Sequence, residues 1–294
     1  GSRAIPAAVA GGLVFRAISA GAGHTCGLAI GGAAYCWGDN AAGQLGDGTA
    51  TSRTSPAVVS GGLVYQAISA GWSHSCGRTT GGAAYCWGRN DVGQLGDGTS
   101  ASHTSPAAVA GGLVFRAISA GRGHTCGLTS GATAFCWGED TTDQLGDGSR
   151  GDQASPVAVA GAGLVFEAIA TSEYHSCGIV AGGAALCWGT NAGGQLGDGT
   201  RLDRSQPVAV AGNLAFQAIS VGYGYSCGYT ASGDAYCWGS NDAGQLGDRT
   251  IITRTTPVAV SGGLAFQALS AGWWHVCGLT TSGAAYCWGN NVGG

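Results

Sequence analysis

The sequence has no methionine, and its 12 basic residues are all arginine. Charged residues make up 10% of the chain, whereas roughly 25% is usual in a globular protein. An intrinsically disordered chain would combine low hydrophobicity with a high net charge. Here hydrophobic residues reach 45% and the net charge is −4. The composition therefore argues against a disordered chain, and also against a long-helix protein, which would be rich in Glu, Lys and Leu.

Two further absences bear on possible partners. The sequence has no run of basic residues, so a nucleic-acid partner is not expected. No apolar stretch approaches the roughly 18 residues of a membrane-spanning helix, so no membrane span is expected either. The chain begins with Gly1-Ser2, a pair typical of the remnant left by tag cleavage. We therefore expect residues 3–294 to form a single domain.

Glycine is abundant, with 58 residues, and it is spread over an internal repeat. The tripeptide Cys-Trp-Gly recurs at intervals of 50 or 51 residues and divides the chain into six units. The one extra residue lies in the stretch 160–164, which we expect to be a loop. We expect the tryptophans of the tripeptide to form the core between neighbouring units. They are Trp37, Trp87, Trp137, Trp188, Trp238 and Trp288.

Each unit holds four short segments rich in β-forming residues, separated by glycine turns. In the unit that spans 56–99, the predicted strands are 57–59, 63–69, 74–78 and 83–87. Four short strands per unit of this length are typical of a propeller blade and not of a helical solenoid. The sequence therefore predicts an all-β fold, a β-propeller of six four-stranded antiparallel blades.

The two ends of the sequence complement each other. A proline-containing strand is predicted at Ile5–Val9, and the last unit, which stops at Gly294, lacks a fourth strand. Pairing of the two would leave no exposed sheet edge. We therefore expect the ring to be closed by the N-terminal strand, which completes the last blade.

A longer pattern surrounds the tryptophan of each unit. In the second unit it comprises Ala70-Gly71-Trp72-Ser73-His74, then Trp87-Gly88-Arg89-Asn90, then Gly93-Gln94-Leu95-Gly96. This pattern, which recurs along essentially the whole chain, resembles the regulator of chromosome condensation repeat family, in particular secreted bacterial members with a cysteine pair in each repeat. The resemblance implies a β-propeller, in a family whose rings usually have seven blades.

The resemblance also bears on function. The founding member of the family is a nuclear exchange factor with a basic chromatin-binding arm, and this sequence has no such arm, so that function is not expected here. Other relatives are secreted, and some inhibit β-lactamases through one face of the propeller. The resemblance therefore favours binding over catalysis, although a shared fold is weak evidence for a shared function.

The 12 cysteines form six pairs, with one member on the third and one on the fourth predicted strand of each unit. Facing residues of antiparallel strands bring their Cβ atoms to about 4.5–5.5 Å, close to disulfide geometry. We predict six disulfides within the blades and hence a secreted or cell-surface protein; reduced thiols in a cytosolic protein are the alternative. The predicted pairs are Cys26–Cys36, Cys76–Cys86, Cys126–Cys136, Cys177–Cys187, Cys227–Cys237 and Cys277–Cys287.

Two metal sites can be weighed against structural roles. His24, Cys26 and Cys36 could together bind zinc, but the fifth unit has Tyr225 at the histidine position and keeps both cysteines. A histidine ring hydrogen-bonded to neighbouring backbone is the expected role. Asp47 and its counterparts Asp97, Asp147 and Asp198 could suggest calcium, but a single acid per loop is typical of a turn. No metal and no cofactor are therefore predicted.

Catalysis needs unlike groups gathered in one pocket. Most polar residues here recur once per unit, as expected of structural roles, and no nucleophile elbow, phosphate-binding loop or pair of carboxylates stands out. We therefore predict no catalytic residue and no enzyme.

The positions that differ between units indicate what the blades display. They are the turn between the second and third predicted strands and the residue after Cys-Trp-Gly. Both leave an antiparallel blade at the same end, and exposed aromatic residues with arginine are concentrated at protein interfaces. The predicted partner-binding residues are Trp72, Arg122, Glu173, Tyr174, Tyr223, Trp273 and Trp274.

The sequence thus favours a monomeric, non-catalytic extracellular propeller that binds another protein through an aromatic-rich face. Two alternatives remain. The same rings could stack on sugars in a carbohydrate-binding propeller. They could also pack over one another in a structural or engineered ring without a specific partner, since the units are nearly identical.

Overall fold

The computed structural model describes residues 8–292, whose strands form six antiparallel sheets. The described residues contain a single short helical turn, at Ala110–Gly112. The strands of each sheet follow one another in chain order, as in a propeller blade. The fold is that of a six-bladed β-propeller, as predicted. Two compact units hold three blades each: Gly1–Asp140 with Gly151–Ala158, and Thr141–Arg150 with Val159–Gly294.

The first unit holds blades 1 to 3. The strands of blade 1 are β1 (Phe15–Ala20), β2 (His24–Ala29), β3 (Ala34–Gly38) and β4 (Arg53–Val58). Those of blade 2 are β5 (Tyr65–Ala70), β6 (His74–Thr79), β7 (Ala84–Gly88) and β8 (His103–Ala108). Those of blade 3 are β9 (Phe115–Ala120), β10 (His124–Thr129), β11 (Ala134–Gly138) and β12 (Gln153–Ala158).

The second unit holds blades 4 to 6. The strands of blade 4 are β13 (Phe166–Thr171), β14 (His175–Val180), β15 (Ala185–Gly189) and β16 (Arg204–Ala209). Those of blade 5 are β17 (Phe216–Gly222), β18 (Tyr225–Thr230), β19 (Ala235–Gly239) and β20 (Arg254–Ala259). Those described for blade 6 are β21 (Phe266–Ala271), β22 (His275–Thr280) and β23 (Ala285–Gly289).

The proline-containing strand follows the other three strands of its blade in the chain and is the outermost strand of that blade. β4, which holds Pro56, pairs with β3 of blade 1. The sequence placed this strand at 57–59, after the proline, whereas it begins three residues before the proline, at Arg53. Proline lacks an N–H group, and an outermost strand accepts it because one row of its backbone groups faces solvent.

Blade 6 has three strands among the described residues, and β23 is its last. The closing strand was predicted at Ile5–Val9. Residues 1–7 lie outside the described part of the chain, and Ala8 and Val9 are not in a strand. Closure of the ring therefore remains a prediction.

All six predicted disulfides are present, each between the second and third strands of one blade. In blade 1 Cys26 faces Cys36 in the strand register, and their Cα atoms lie 4.1 Å apart. The other five bridges repeat this arrangement. No cysteine is left free in the described chain. Because the cysteines face each other across a tight hairpin, each blade carries its own covalent link.

The repeated tryptophans form the core between blades. Trp87, Trp137, Trp188 and Trp238 are completely buried, whereas Trp37 and Trp288 are half-buried. Within blade 2 the ring of Trp87 packs on Tyr65, with ring centroids 5.9 Å apart. The predicted core role is therefore confirmed for the tryptophans of blades 2 to 5, whereas the tryptophans of blades 1 and 6 are less completely buried.

Candidate functional site

The repeated polar residues of neighbouring blades join in one hydrogen-bond network, here called the inter-blade network. Between blades 1 and 2 it consists of His24, Gln44, Ser75 and Trp87. The Ser75 hydroxyl and the Trp87 Nε1–H both donate to the backbone carbonyl oxygen of Gln44, at 2.9 and 3.0 Å. His24 Nε2 lies 2.8 Å from Ser75 Oγ. Because the Ser75 proton is used on Gln44, His24 Nε2 is the donor in this contact.

This arrangement corrects one expectation about the histidine. Its ring hydrogen-bonds a hydroxyl of the next blade, not neighbouring backbone. The same four-residue network occurs between blades 2 and 3 and between blades 4 and 5, with threonine or serine as the hydroxyl. Its members are His74, Gln94, Thr125 and Trp137 between blades 2 and 3, and His175, Gln195, Ser226 and Trp238 between blades 4 and 5.

Burial keeps these histidines neutral. Removal from water lowers the pKa of His24 to about 4 and the pKa of both His74 and His175 to about 3. The second ring nitrogen, Nδ1, of His24 and His74 is buried with no hydrogen-bond partner. A proton there would bring a buried charge without an acceptor, so these rings serve as neutral donors in the blade interface.

In blade 5 a tyrosine replaces the histidine that contacts the next blade. Tyr225 stands at the histidine position, and its hydroxyl donates to the carbonyl oxygens of Gly272 and His275, at 3.0 and 2.6 Å. Burial raises the pKa of Tyr225. The position of the accepting hydroxyl in blade 6 is Val276, which is completely buried. Tyrosine reaches backbone oxygens, so the hydroxyl that a histidine needs is not required there.

The possible zinc ligands have other partners. Cys26 and Cys36 are bonded to each other, and His24 bonds Ser75. Among residues 8–292, no group of three or more His, Cys, Asp or Glu side chains is placed to hold a metal ion.

The aspartate of the Gly-Asp-Gly turn holds the connection between the third and fourth strands of a blade, as Asp47 does in blade 1. Asp47 Oδ1 accepts hydrogen bonds from the backbone N–H and the hydroxyl of Thr49, at 3.0 and 2.7 Å. Arg53 Nε donates to its second oxygen at 2.9 Å, and the Asn40 amide also donates to Asp47. Burial raises the pKa of Asp47, but the bonds from Thr49 and Arg53 outweigh it and leave the pKa below its ordinary value. The aspartate therefore has the predicted role of a turn residue.

The two variable connections leave each blade at the same end, as expected. The N–H of the residue after the third strand donates to a carbonyl in the turn between the first and second strands, at 2.7–2.9 Å in all six blades. We call this the turn end of a blade. The donor and acceptor pairs are Asp39–Gly23, Arg89–Ser73, Glu139–Gly123, Thr190–Tyr174, Ser240–Gly224 and Asn290–Trp274.

Three of the predicted binding residues meet at the turn ends of blades 5 and 6. The ring centroids of Tyr223, Trp273 and Trp274 lie 5.7–6.2 Å from one another. The exposed fractions are 40% for Tyr223, 46% for Trp273 and 43% for Trp274. We call these three residues the aromatic triad. They form one exposed cluster in the second unit.

Two further predicted residues meet at the turn ends of blades 2 and 3. The guanidinium carbon of Arg122 lies 5.1 Å from the ring centroid of Trp72, within the range of a cation–π contact. Both side chains are half-buried. Arg122 therefore covers part of the Trp72 ring and leaves a mixed aromatic and cationic surface.

The remaining pair, in blade 4, offers less surface. Glu173 is only 8% exposed, and Tyr174 is half-buried. The sequence placed Glu173 among the displayed residues because its position varies between the repeats. Its burial leaves little of this side chain for a partner.

Comparison with known families agrees with this geometry. The sequence matches the family described as Regulator of chromosome condensation (RCC1) repeat over 15–44, 65–94, 115–144, 216–245 and 266–294. A second description of the same repeat matches 31–77, 81–128, 182–229 and 232–279. The chain belongs to the regulator of chromosome condensation repeat family. Propellers of this family are protein-binding scaffolds. No curated protein sequence matches the chain significantly.

Solved structures show the same fold. The chain is similar to human WBSCR16, with 20% identity and a TM-score of 0.81, over 90% of this chain and 71% of that one. A structure of Kap60 bound to yeast RCC1 (Prp20) matches with 21% identity and a TM-score of 0.81, over 94% and 70%. The CRINKLY WD40 ectodomain of the Arabidopsis thaliana receptor kinase ACR4 matches with 26% identity and a TM-score of 0.62, over 95% and 80%.

No helix in the part of the chain that the structure describes is long and apolar enough to cross a bilayer.

Proposed function

We propose that the protein is a monomeric, non-catalytic extracellular propeller that contacts another protein through aromatic side chains at the turn ends of its blades. The observation that carries this proposal is the exposed aromatic triad. The Cys-Trp-Gly tryptophans of blades 2 to 5 are completely buried, whereas Trp273 and Trp274 leave nearly half of their surface in water. Apolar surface in water is unfavourable, and a clustered patch of it marks an interaction site.

The chemistry of the exposed residues fits a protein partner. Trp, Tyr and Arg are the residue types that contribute most to binding at protein interfaces. The triad supplies two tryptophans and a tyrosine, and Arg122 stacked on Trp72 supplies the arginine. All of them lie on turns that vary between the repeats, so a partner can be recognised without disturbing the blades.

An extracellular location is supported by two observations. The chain has six disulfides, which form and persist in oxidising compartments and are rare in the cytosol. The plant receptor kinase domain to which the chain is 26% identical is an ectodomain.

A binding role without catalysis is supported by the use of the repeated polar groups. The side chains of His24, Gln44, Asn40 and Asp47 are each committed to hydrogen bonds that hold turns or neighbouring blades. Catalytic groups would have to be directed at a common pocket instead.

The proposal can be tested by comparing the wild type with two double variants. Trp273→Ala/Trp274→Ala removes most of the triad. Val64→Ala/Val114→Ala is the matched control, since these valines are 51% and 50% exposed and lie at the opposite end of the first strands of their blades. Each protein is applied to an array of secreted proteins and to a glycan array, after its thermal unfolding has been checked.

We expect the wild type and the valine variant to bind the same protein, and the tryptophan variant to lose at least tenfold in affinity, as hot-spot residues do. Binding to glycans alone would assign the triad to sugar recognition and refute a protein partner. Equal binding by all three proteins would show that the triad is not the contact surface.

A further inference from the structure

The turn ends of blades 2 and 3 show what this fold places beside an aromatic ring and a carboxylate. The guanidinium of Arg122 stacks on the ring of Trp72 at 5.1 Å. The guanidinium of Arg89 donates from Nε to Asp91 Oδ1 at 2.7 Å and forms an ion pair with it. In these blades the ring and the carboxylate therefore each receive a cation from the chain itself.

Blades 5 and 6 keep an aromatic ring and a carboxylate at the same positions of the repeat, but they have neither arginine. In the order Trp72, Arg122, Arg89 and Asp91, the corresponding residues are Tyr223, Trp273, Ser240 and Asp242. Asp242 is the one charged residue in the turns 222–224 and 272–274 and in the stretches 240–244 and 290–292 that follow the third strands. This surface therefore carries a negative charge and no positive one.

Asp242 has no opposite charge beside it. Its side chain is exposed, and it forms neither an ion pair nor a side-chain hydrogen bond with any residue of the described range 8–292. Within the same range no arginine stacks on the ring of Tyr223 or Trp274, which are 40% and 43% exposed. The two features that hold a guanidinium in blades 2 and 3 are thus open to solvent in blades 5 and 6.

The carboxylate and the rings are close neighbours in the second unit. The backbone N–H of Ser240 donates to the carbonyl oxygen of Gly224, the residue after Tyr223, at 2.9 Å. Asp242 follows Ser240 by two residues, at most about 7 Å along the chain. The ring of Tyr223 in turn lies 6.2 Å from that of Trp274. A single planar guanidinium can stack on an aromatic face and donate to a carboxylate at the same time.

We propose that the aromatic triad and Asp242 together bind an arginine side chain of the partner protein. The guanidinium stacks on the rings of the triad and donates N–H groups to the Asp242 carboxylate, as the chain's own arginines do in blades 2 and 3. This inference rests on the proposed function, because it names the group that the partner presents to the triad.

The test compares two small probes that differ in charge but not in length. The full chain is titrated with N-acetyl-arginine amide and with N-acetyl-citrulline amide, in which a neutral urea replaces the guanidinium. Binding is followed by NMR through the indole N–H signals of Trp273 and Trp274, which are assigned by their loss in the Trp273→Phe and Trp274→Phe variants.

Two aspartate variants form a matched pair, since each removes one negative charge from blade 5. Asp242→Asn alters the proposed site. Asp234→Asn is the control, because Asp234 is exposed and directly precedes β19, at the end of that strand opposite the turn end. Thermal unfolding of both variants is measured before the titrations.

We expect the arginine amide to bind at least threefold more tightly than the citrulline amide. Asp242→Asn should weaken binding of the arginine amide at least threefold, whereas Asp234→Asn should have little effect. Equal affinity for the two amides, or an equal effect of the two aspartate variants, would overturn the inference. The proposed function fails by a separate result, which is unchanged binding of a protein partner by Trp273→Ala/Trp274→Ala on the array.

Discussion

The buried histidines make the free energy of unfolding depend on pH between 7.5 and 5. Exposed histidines would have little effect, because their pKa is similar in the folded and unfolded protein. His24, His74 and His175 have pKa values of about 4, 3 and 3 in the folded protein, against 6.5 for an ordinary histidine. A lowered pKa contributes stability that is fully present above pH 6.5 and is lost as the pH falls toward the folded value. The free energy of unfolding should therefore fall as the pH is lowered from 7.5 to 5.

The size of this loss follows from proton binding. At pH 5 an unfolded histidine is almost fully protonated, while these three folded histidines remain neutral. Each then costs about 2 kcal/mol relative to pH 7.5, or about 6 kcal/mol for the three. Because all three folded pKa values lie below 5, this loss is governed by the unfolded value alone. It is large beside the total stability of about 5–15 kcal/mol that is common for a domain.

The assay is denaturant unfolding at pH 7.5 and pH 5 with the disulfides intact, followed by tryptophan fluorescence. Blade 5 supplies a matched variant, because Tyr225 and Val276 stand there in place of the histidine and its hydroxyl partner. The variant His74→Tyr/Thr125→Val should therefore show a pH-dependent loss about 2 kcal/mol smaller than that of the wild type. Equal stability of the wild type at the two pH values, or an unchanged loss in the variant, would refute the reasoning.

Three further predictions concern the blades themselves. Gly71→Ala places a Cβ atom 2.4 Å from a backbone oxygen of the next blade and should lower the free energy of unfolding by about 2 kcal/mol. Its control, Gly81→Ala, has no atom within 4 Å of the new Cβ and should lower it by less than about 0.5 kcal/mol. Similar melting curves for the two variants would contradict this. Cys76→Ser/Cys86→Ser opens a loop of about 11 residues and should cost about 3 kcal/mol in denaturant unfolding, so unchanged stability would count against a structural bridge. Trp87→Phe removes the donor to the Gln carbonyl and should cost about 1–2 kcal/mol, and an unaltered midpoint would show that this bond is dispensable.

Much of the fold could be predicted because the chain repeats one unit. The spacing of Cys-Trp-Gly gave the number of blades, and the glycine turns located most strands to within one or two residues. The cysteine pairs were predictable because a tight hairpin fixes which residues face each other, as Cys26 and Cys36 do. The strand with Pro56 was placed too late because proline usually begins a strand, and only its outermost position allows it inside one.

The contacts between blades could not be predicted from one repeat. The partner of His24 lies 51 residues away in the next blade, so no local pattern identifies it. The sequence nevertheless contains one paired change between repeats. Where Tyr225 replaces the histidine, the next repeat has Val276 in place of serine or threonine. This paired change indicates a contact between the two positions.

The candidate site was only partly predictable. Variation between repeats located the turn ends correctly, since the chain path alone decides where the variable turns leave a blade. It could not give the exposure of each side chain, which depends on packing against neighbouring turns. Sequence variation therefore did not distinguish Glu173, which is buried, from Tyr223, Trp273 and Trp274, which form one exposed cluster.

The central claim is that the protein consists of six copies of one blade, each closed by its own disulfide, and it is tested most directly by intact mass. The protein is unfolded in denaturant and treated with a thiol-alkylating reagent, with and without prior reduction. We expect no modified cysteine without reduction and 12 modified cysteines after it. Alkylated cysteines in the unreduced protein, or peptides linked between different blades after its digestion, would contradict the account.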